Sequence, residues 1–426
     1  MKTPELLAPA GDMEKLQVAL AYGADAVYAG QPQFSLRGRE NGFKTVEDLA
    51  RAIEYCRERE KLFYLASNTV PHNNKVLAFQ KSLAEIIALE PHALIMSDPG
   101  MIHWVRTEFP ETEVHLSVQA NTVNYISAKF WHDLGINRVI LTRELKLREV
   151  EEIIEKTFPL EIEVFVHGAV CMASSGRCML SNYLSYRDAN QGNCNNACRF
   201  PWEVKPAAVE LHPIENDNPI SKAAESTQEG VIVVEEDQHG TYFMNSRDLC
   251  ALPVLEDLVK IGVASVKIEG RTKSPYYLAK SVQAYRLALD AIAKGEKIPA
   301  EAMQAVFDTE NRGLMSGFYT SQDPIPQNLS AAKDIQAHAE VAAKITKYNS
   351  EKGIATIDVR NRISLGDNLE LFSPEGNKYF TVTNLTNQKS QNAEILHPGL
   401  KNCEINMPFS CNELSFLVRR LQKTKK

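Results

Sequence analysis

The sequence predicts an α/β protein built on a (β/α)8 TIM-like barrel, followed by a small C-terminal antiparallel β-barrel domain. Eight short, continuously apolar runs alternate with amphipathic segments over the first ~300 residues, and continuous runs are typical of parallel strands covered by helices. After about residue 338 the chain changes to short runs rich in Val, Ile, Thr and Phe between turn residues, a pattern typical of antiparallel strands. A doubly wound open sheet is the competing arrangement for the eight units.

Each unit begins with a predicted strand and continues into a helical segment that ends at Gly or another turn signal. The predicted strands are 6–8, 26–29, 62–66, 93–96, 114–118, 139–141, 162–166 and 266–268. The segments with a helical repeat are 13–22, 46–60, 76–89, 101–109, 124–134, 147–157, 248–261 and 275–293.

The predicted domains are a barrel over 1–335, a small β-barrel over 336–420 and a basic tail at 421–426. The seventh unit is irregular because about 80 residues separate its strand from its helix, and these form a cysteine-rich insertion at 168–247. The insertion ends in a predicted hairpin that turns near His239 and Gly240. In a compact domain, an insertion of this length is usually functional or disordered.

Composition limits the function classes. Lys and Arg number 47 against 54 Asp and Glu, so the net charge of −7 excludes a polyanion binder that acts by bulk charge. A nucleic-acid contact would need a local basic patch, and the alternative to such a patch is a solvated tail. The small candidate consists of Arg419, Arg420, Lys423, Lys425 and Lys426. We find no apolar run of membrane-spanning length and no signal-peptide pattern at the start, and therefore expect a cytoplasmic protein without membrane contact.

The cysteine-rich insertion carries the strongest chemical signal. Its cysteines are spaced C-x6-C, then fifteen residues, then C-x3-C, and they are Cys171, Cys178, Cys194 and Cys198. In a reducing compartment such a cluster favours a metal site over disulfides. The wide first pair favours an iron–sulfur cluster, and zinc is the alternative metal. Cys250 is the alternative fourth ligand, while packing explains Cys56, Cys403 and Cys411.

The C-terminal ends of parallel barrel strands meet at one face, where barrel enzymes hold their substrates. Candidate catalytic residues at these ends are His167, Glu144 and Asp98. Candidate substrate-binding residues are Arg143, Lys267, Arg271, Arg37 and Gln119. Arginine is suited to this role because its guanidinium can bind a carboxylate through two hydrogen bonds. The alternative is a salt bridge within the chain, Arg143 with Glu144 or Lys267 with Glu269, and a solvated loop for Arg37.

The end of the seventh predicted strand and the first two cysteines of the insertion resemble the signature of a known family. The chain matches the pattern E-x-F-x2-G-[SA]-[LIVM]-C-x4-G-x-C-x-[LIVM]-S at Glu163, Phe165, Gly168, Ala169, Val170, Cys171, Gly176, Cys178, Leu180 and Ser181. This is the signature of the U-thirty-two peptidase family, the collagenase-like group. The segments PELLAPAG, YGADAVYAG, ALIMSDPG, HLSVQAN, RVILTREL and VKIEGRTKS also resemble that family. The likeness covers nearly the whole chain.

Within the family, RDANQGNCNNACRFPW and HLSVQANTVN are most similar to a branch that hydroxylates tRNA. That resemblance implies a 4Fe-4S cluster held by cysteines, and oxygen-independent formation of 5-hydroxyuridine at the wobble position of tRNA. It also implies prephenate, or a related small dicarboxylate, as a partner, which Arg143, Lys267 and Arg271 are best placed to bind. Family members differ in the position of the fourth cysteine, so Cys198 and Cys250 both stay open.

Two other functions compete with RNA hydroxylation. His167 precedes Cys171 by four residues, which allows a thiol–imidazole pair of the cysteine-peptidase kind, although the sequence contains neither HExxH nor GxSxG. The second competitor is a protein that delivers tRNA to a separate enzyme and uses its cluster only for structure. The small β-domain contains few candidate catalytic groups, so we expect it to bind a protein partner or to stabilise the fold.

Overall fold

The computed structural model describes residues 3–36, 41–171, 173–174, 177–185, 187–196, 198, 236–237, 240–241, 246–320 and 337–421. Four sequence predictions lie outside these residues. They are Arg37, the middle of the insertion, the predicted domain boundary near residue 335 and the basic tail beyond Leu421. Within the described parts, no helix is both long and apolar enough to cross a membrane.

Eight parallel strands form a closed barrel. They are β1 (Glu5–Pro9), β2 (Ala26–Gly30), β3 (Leu62–Ser67), β4 (Ala93–Met96), β5 (Val114–Leu116), β6 (Arg138–Ile140), β7 (Glu161–Ala169) and β11 (Ser265–Ile268), with β8 (Glu236–Asp237), β9 (Gly240–Thr241) and β10 (Asp248–Cys250) between the last two. Each barrel strand pairs with the next, and β11 pairs with both β7 and β1. This closure confirms the predicted barrel and shows that the open sheet is the wrong alternative.

Helices cover the outside of the barrel. They are α1 (Met13–Ala21), α2 (Val46–Arg57), α3 (Val76–Ile87), α4 (Pro99–Glu108), α5 (Tyr125–Asp133), α6 (Leu147–Thr157), α7 (Leu180–Ser185), α8 (Leu255–Lys260), α9 (Pro275–Lys294) and α10 (Ala300–Phe307). Side chains cap several helix starts, as Asp12 does by accepting a hydrogen bond from the Lys15 N–H at 2.9 Å. These caps satisfy backbone donors that the helix itself leaves unpaired.

One predicted helix is wrong at its start. The segment 248–261 begins as strand β10, which pairs antiparallel with the end of β7, and only its second half forms α8. Strand β7 is longer than its neighbours, and β6 pairs only with residues 161–163. The backbone at 167–169 would otherwise lack partners, and β10 supplies them. A two-residue strand, β12 (Leu314–Met315), pairs with β10 on its other side.

The C-terminal domain is an antiparallel sheet curled around its own apolar core. Its strands are β13 (Ala339–Asn349), β14 (Ile354–Val359), β15 (Ile363–Ser364), β16 (Asn368–Phe372), β17 (Lys378–Thr381), β18 (Leu385–Thr386), β19 (Ile395–Leu396), β20 (Cys403–Asn406) and β21 (Phe416–Arg420). Seven of them follow the order β17-β16-β21-β13-β14-β20-β18, and β15 pairs with β19. The predicted small antiparallel β-domain is confirmed.

A buried ion cluster joins this domain to the barrel. Lys280 Nζ of α9 lies 3.1 Å from Asp308 Oδ2 and 3.8 Å from Glu370 Oε1 of β16. Arg420 of β21 binds the same two carboxylates, at 2.5 Å and 2.9 Å. Arg419 pairs with other carboxylates of its own domain. The two arginines are therefore held in ion pairs within the fold, and the other residues of the predicted basic patch lie beyond Leu421, outside the described residues.

Candidate active site

A cavity of about 350 Å³ opens at the C-terminal face of the barrel. Its walls are residues at the ends of β2 to β7 and β11, and its cover is the cysteine-rich loop that follows β7, which we call the cap (the described residues of 170–198). Chemistry in parallel barrels is found at this face because loops from every strand converge there. The cavity is therefore the candidate active site.

Four cysteines of the cap line this one cavity, namely Cys171, Cys178, Cys194 and Cys198. None of them is in a disulfide; Cys171 is exposed and the other three are half-buried. Asn190 holds the cap at Cys178, because its Oδ1 accepts from the Cys178 N–H at 3.2 Å and its Nδ2 donates to the Cys178 carbonyl at 3.1 Å. The sequence-predicted ligands are thus brought together.

The four thiols are a donor set that an iron–sulfur cluster or zinc would use. Among the residues that the structure describes, no three His, Cys, Asp or Glu side chains converge closely enough to hold one metal ion. A structural zinc site needs four ligands at ~2.0–2.3 Å from one centre. An iron–sulfur cluster is also held by four cysteine thiolates, so the donor set fits a cluster.

Cys250 lies elsewhere. It sits in β10 opposite His167 and is 2% exposed. The Tyr285 hydroxyl lies 3.9 Å from its sulfur, and burial raises the pKa of the thiol. A metal ligand must be a thiolate, which burial disfavours. Within the described chain, Cys198 lines the cavity with the other three cysteines and Cys250 does not.

Arg143 is held firmly at the cavity wall. Its Nη1 donates to the Ala169 carbonyl at 2.8 Å, and its guanidinium lies 3.8 Å from the centre of the Phe165 ring. Its Nη2 lies 3.6 Å from Glu269 Oε2. The predicted alternative for Arg143 was a salt bridge with Glu144. Arg143 does form a salt bridge, but its partner is Glu269. Nε of Arg143 is buried without a hydrogen-bond partner among the described residues.

Lys267 is paired inside the barrel rather than at its rim. Its Nζ lies 2.8 Å from Oε1 of Glu163, which is fully buried, and 4.4 Å from the centre of the Tyr28 ring. Burial lowers the pKa of Lys267, and the Glu163 carboxylate opposes this shift. The predicted alternative partner, Glu269, is wrong. Lys267 still lines the cavity, so its ammonium group can interact with a ligand there.

Arg271 reaches the cavity from the loop after β11. It is 9% exposed, and its Nη2 donates to the Leu36 carbonyl at 2.5 Å. Its Nε, like that of Arg143, is buried without a partner in the described chain. A buried guanidinium N–H without a partner loses free energy that an anionic ligand would return.

His167 does not reach the cavity. It is 2% exposed and packs against Tyr277 and Tyr285 of α9, with ring centres 5.7 and 5.6 Å away. Strand alternation places residues 163, 165 and 167 on the inner face, but the register between β7 and β11 shifts just before His167. This irregularity turns His167 towards the helix layer. The predicted catalytic position of His167 is therefore corrected, and a His167–Cys171 pair is not formed.

The other predicted residues divide into two groups. Asp98 caps α4 by accepting from the Met101 N–H at 2.9 Å, so it serves the helix rather than the cavity. Glu144 and Gln119 do line the cavity. The Gln119 carbonyl accepts from Arg177 Nε at 2.8 Å, which ties the cap to the loop after β5. The predicted catalytic role of Asp98 is thus corrected, whereas Glu144 and Gln119 lie at the cavity.

Sequence reasoning missed Arg187, whereas Tyr28 and Glu269, two further cavity residues, stand among the predicted polar groups at the strand ends. The Tyr28 hydroxyl donates to the Ile268 carbonyl at 3.1 Å and lies 3.4 Å from Glu269 Oε2. Burial raises the pKa of Tyr28 well above its usual value, so the hydroxyl keeps its proton. Tyr28 and Glu269 stand at strand ends, where the sequence places them. Arg187 lies inside the cap, where no strand periodicity exists.

A closed parallel barrel with a four-cysteine cap and a C-terminal β-domain defines the class of protein. The chain belongs to peptidase family U32: the model of that family matches residues 11–328, and the model of its C-terminal domain matches residues 338–417. The resemblance seen in the signature is confirmed.

The curated relatives are nearly full-length matches. A "tRNA hydroxylation protein P" of Escherichia coli (strain K12) is 43% identical over 424 residues, covering 94% of this chain and 92% of that protein. A protein of the same name from Haemophilus influenzae (strain Rd) is 40% identical over 450 residues, covering 99% and 97%. A "Collagenase" of Porphyromonas gingivalis is 29% identical over 387 residues, covering 87% and 86%.

The buried histidine predicts a pH effect on stability. Burial lowers the pKa of His167 to about 4; the charge of Asp248 opposes this shift and that of Lys273 adds to it. In the unfolded state His167 has a pKa near 6.5 and binds a proton below that pH. In the folded protein it binds the proton only near pH 4. Stability should therefore fall as pH drops from about 6.5 to 4, by ~3 kcal/mol from this group, and level off below.

The measurement is the free energy of unfolding in urea at several pH values, for the wild type and His167→Phe. The variant should show a shallower pH dependence in that window. His103→Phe changes an exposed histidine and is the control. Equal slopes for the wild type and His167→Phe would contradict the prediction.

Proposed function

We propose that this protein is a cytoplasmic iron–sulfur enzyme of tRNA modification that supports oxygen-independent, prephenate-dependent 5-hydroxylation of the wobble uridine. The observation that carries the proposal is one cavity lined by four cysteines and by four cations, the latter being Arg143, Arg187, Lys267 and Arg271. The relatives named for tRNA hydroxylation, 43% and 40% identical over almost the whole chain, support RNA as the substrate.

The thiols of Cys171, Cys178, Cys194 and Cys198 are the proposed ligands of a 4Fe-4S cluster. When bound, such a cluster supplies one-electron redox chemistry or a Lewis-acidic iron beside the ligand. The chain contributes the position: Asn190 holds the Cys178 backbone, and the Asn196 N–H donates to the Cys194 sulfur at 3.3 Å. Zinc is the alternative metal, and the C-x6-C spacing of the first two cysteines favours the cluster over it.

The cations of the wall give the cavity its selectivity for a small dicarboxylate. Among the described residues, two carboxylates, those of Glu144 and Glu269, line the cavity beside the four cations. Arg143 and Arg271 are each fixed by a backbone carbonyl and each keep one buried N–H for a ligand. Charge-assisted hydrogen bonds to carboxylates are about twice as strong as neutral ones. Prephenate carries two carboxylates and fits this requirement.

Two further side chains are suited to handle protons and orientation. Tyr28 remains protonated, so its hydroxyl can orient Glu269, which in turn holds Arg143. Glu144 lines the cavity and is the proposed acid or base there. Gln119, also on the wall, can hydrogen-bond the base or the dicarboxylate. A protein partner of the C-terminal domain stays a prediction. The side of that domain that packs on the barrel is not available to such a partner.

The test of function is nucleoside analysis of tRNA from cells that lack the gene. Derivatives of 5-hydroxyuridine should be lost and should return with the wild type and with Cys56→Ala, whose cysteine is buried in α2. Cys178→Ala should restore none. Anaerobic purification should yield iron and sulfide together with a charge-transfer absorption band. Unchanged 5-hydroxyuridine in a strain without any second route would overturn the function, and a colourless protein with stoichiometric zinc would overturn the cofactor.

Peptide hydrolysis has less support from the geometry. A cysteine peptidase needs a base within hydrogen-bond reach of its thiol. Cys171 lines the cavity, whereas His167 packs between tyrosines of the helix layer. Cleavage of a collagen-like peptide that disappears in Cys171→Ala would revive this function. A tRNA-delivery protein would bind tRNA yet leave uridine unmodified when supplied with prephenate in a purified system.

A further inference from the structure

Among the described residues that line the cavity, Arg187 is the one cation that belongs to the cap rather than to the barrel. It lies between Cys178 and Cys194 in sequence, and its side chain lines the same cavity as Arg143, Lys267 and Arg271. Its Nε is buried without a hydrogen-bond partner among the described residues. Leaving such a donor unpaired costs free energy, so the position calls for an anionic acceptor.

The backbone of Arg187 is tied to the segment that carries Cys194. The Ser181 hydroxyl donates to the Arg187 carbonyl at 2.7 Å, and the Asn195 N–H donates to the same hydroxyl at 3.1 Å. Asn195 Nδ2 also donates to Ser185 Oγ at 2.8 Å. Ser181 is buried and hydrogen-bonds to both Arg187 and Asn195, the residue after Cys194. The positions of Arg187 and Cys194 are therefore linked.

Hydrogen bonds fix the arginines of the opposite wall to the barrel, and others join the cap to the barrel loops. Arg143 and Arg271 are fixed on the barrel by the Ala169 and Leu36 carbonyls. Across the cavity, polar contacts of the cap with barrel loops include Arg177 with the Gln119 carbonyl and Gln191 with the Val70 carbonyl. The side chain of Arg187 lines a cavity that also contains Arg143 and Arg271, so an anion between these guanidinium groups would interact favourably with all three.

We propose that Arg187 is a ligand-binding residue that closes the cap: a small dicarboxylate bridges Arg187 on the cap and the arginines on the barrel. Its binding holds the cap, with Cys178 and Cys194, against the barrel mouth. By linkage, ligand binding and retention of the metal cluster by the cap then stabilise each other. This inference rests on the proposed small dicarboxylate ligand and adds the residue and the coupling.

The test compares the wild type, Arg187→Gln, Arg187→Lys and Lys75→Gln as anaerobically purified holoproteins. Lys75 is the matched control, since it contacts the cap at Gln191 from the exposed side at 3.3 Å and is not among the residues that line the cavity. Isothermal titration with prephenate should show Kd raised tenfold or more in Arg187→Gln, by a smaller factor in Arg187→Lys and unchanged in Lys75→Gln. Phenylpyruvate, with one carboxylate, should bind the wild type and Arg187→Gln about equally.

The coupling has its own measurement, the rate at which a chelator removes iron. Saturating prephenate should slow this rate several-fold in the wild type and in Lys75→Gln, and leave it unchanged in Arg187→Gln. Thermal unfolding shows whether each variant is folded. Equal prephenate affinity in the wild type and Arg187→Gln would overturn the role of Arg187, as would weakened tRNA binding with unchanged prephenate affinity, which assigns Arg187 to an RNA phosphate. Absence of prephenate binding by every form would instead reject the proposed metabolite.

Discussion

Cys198→Ala is expected to abolish the cluster, whereas Cys250→Ala is expected to retain it. Cys198 lines the cavity with Cys171, Cys178 and Cys194, so its loss leaves three thiolates for a cluster that takes four. Iron content should fall from about four atoms per chain to near zero, and the visible absorption with it. Modified uridine should disappear from tRNA in the same variant.

Cys250→Ala serves as the matched control because it removes the same atom from a buried site beside Tyr285. Its iron and sulfide content should equal that of the wild type, with a small loss of stability from the cavity left behind. The opposite result, loss of iron in Cys250→Ala alone, would move the fourth ligand to β10 and require the end of β7 to rearrange.

Lys280→Met is expected to destabilise the protein by about 3–5 kcal/mol, because it leaves two buried carboxylates with Arg420 as their remaining partner in the cluster. Lys280, Asp308 and Glu370 are all nearly inaccessible to solvent, and burial already lowers the pKa of the lysine. The ion cluster joins α9 to β16 and β21, so the loss should loosen the C-terminal domain on the barrel. Urea unfolding and hydrogen exchange in β16 and β21 measure both effects.

A matched surface change separates this effect from the loss of a positive charge in general. Lys260→Met removes the exposed partner of Glu256 on α8 and should change stability little. The double variant Lys280→Met with Asp308→Asn should recover part of the loss, since it removes one of the uncompensated charges. A Lys280→Met protein as stable as the wild type would show that Arg420 alone neutralises both carboxylates.

The barrel was predictable because its signal is local and repeated. Each parallel strand is buried on both faces, so it appears as a continuous apolar run, and eight such runs lie at regular intervals. Residues 248–250 were misread because they resemble the start of a helix, and what makes them a strand is the end of β7 beside them. Helix α10 was not predicted either.

The candidate site was predictable in part. The four cysteines are close in sequence, so their convergence needed only the loop that carries them. Asp98 and His167 were misplaced because each was judged from its position at a strand end. Asp98 is followed by Pro99 and caps a helix, and a register shift turns His167 outward. The partners of Arg143 and Lys267 were also misread, since they come from other strands.

The order of residues along this chain was enough to establish the barrel, the β-domain, the family signature and the cysteine cap, because each depends on patterns within a few tens of residues. The direction of His167, the ion pairs at the barrel mouth, the burial of Cys250 and the position of Arg187 over the cavity depend on contacts between distant segments. Such contacts form only when the sheet closes and its register is set, since one residue of shift moves a side chain to the opposite face.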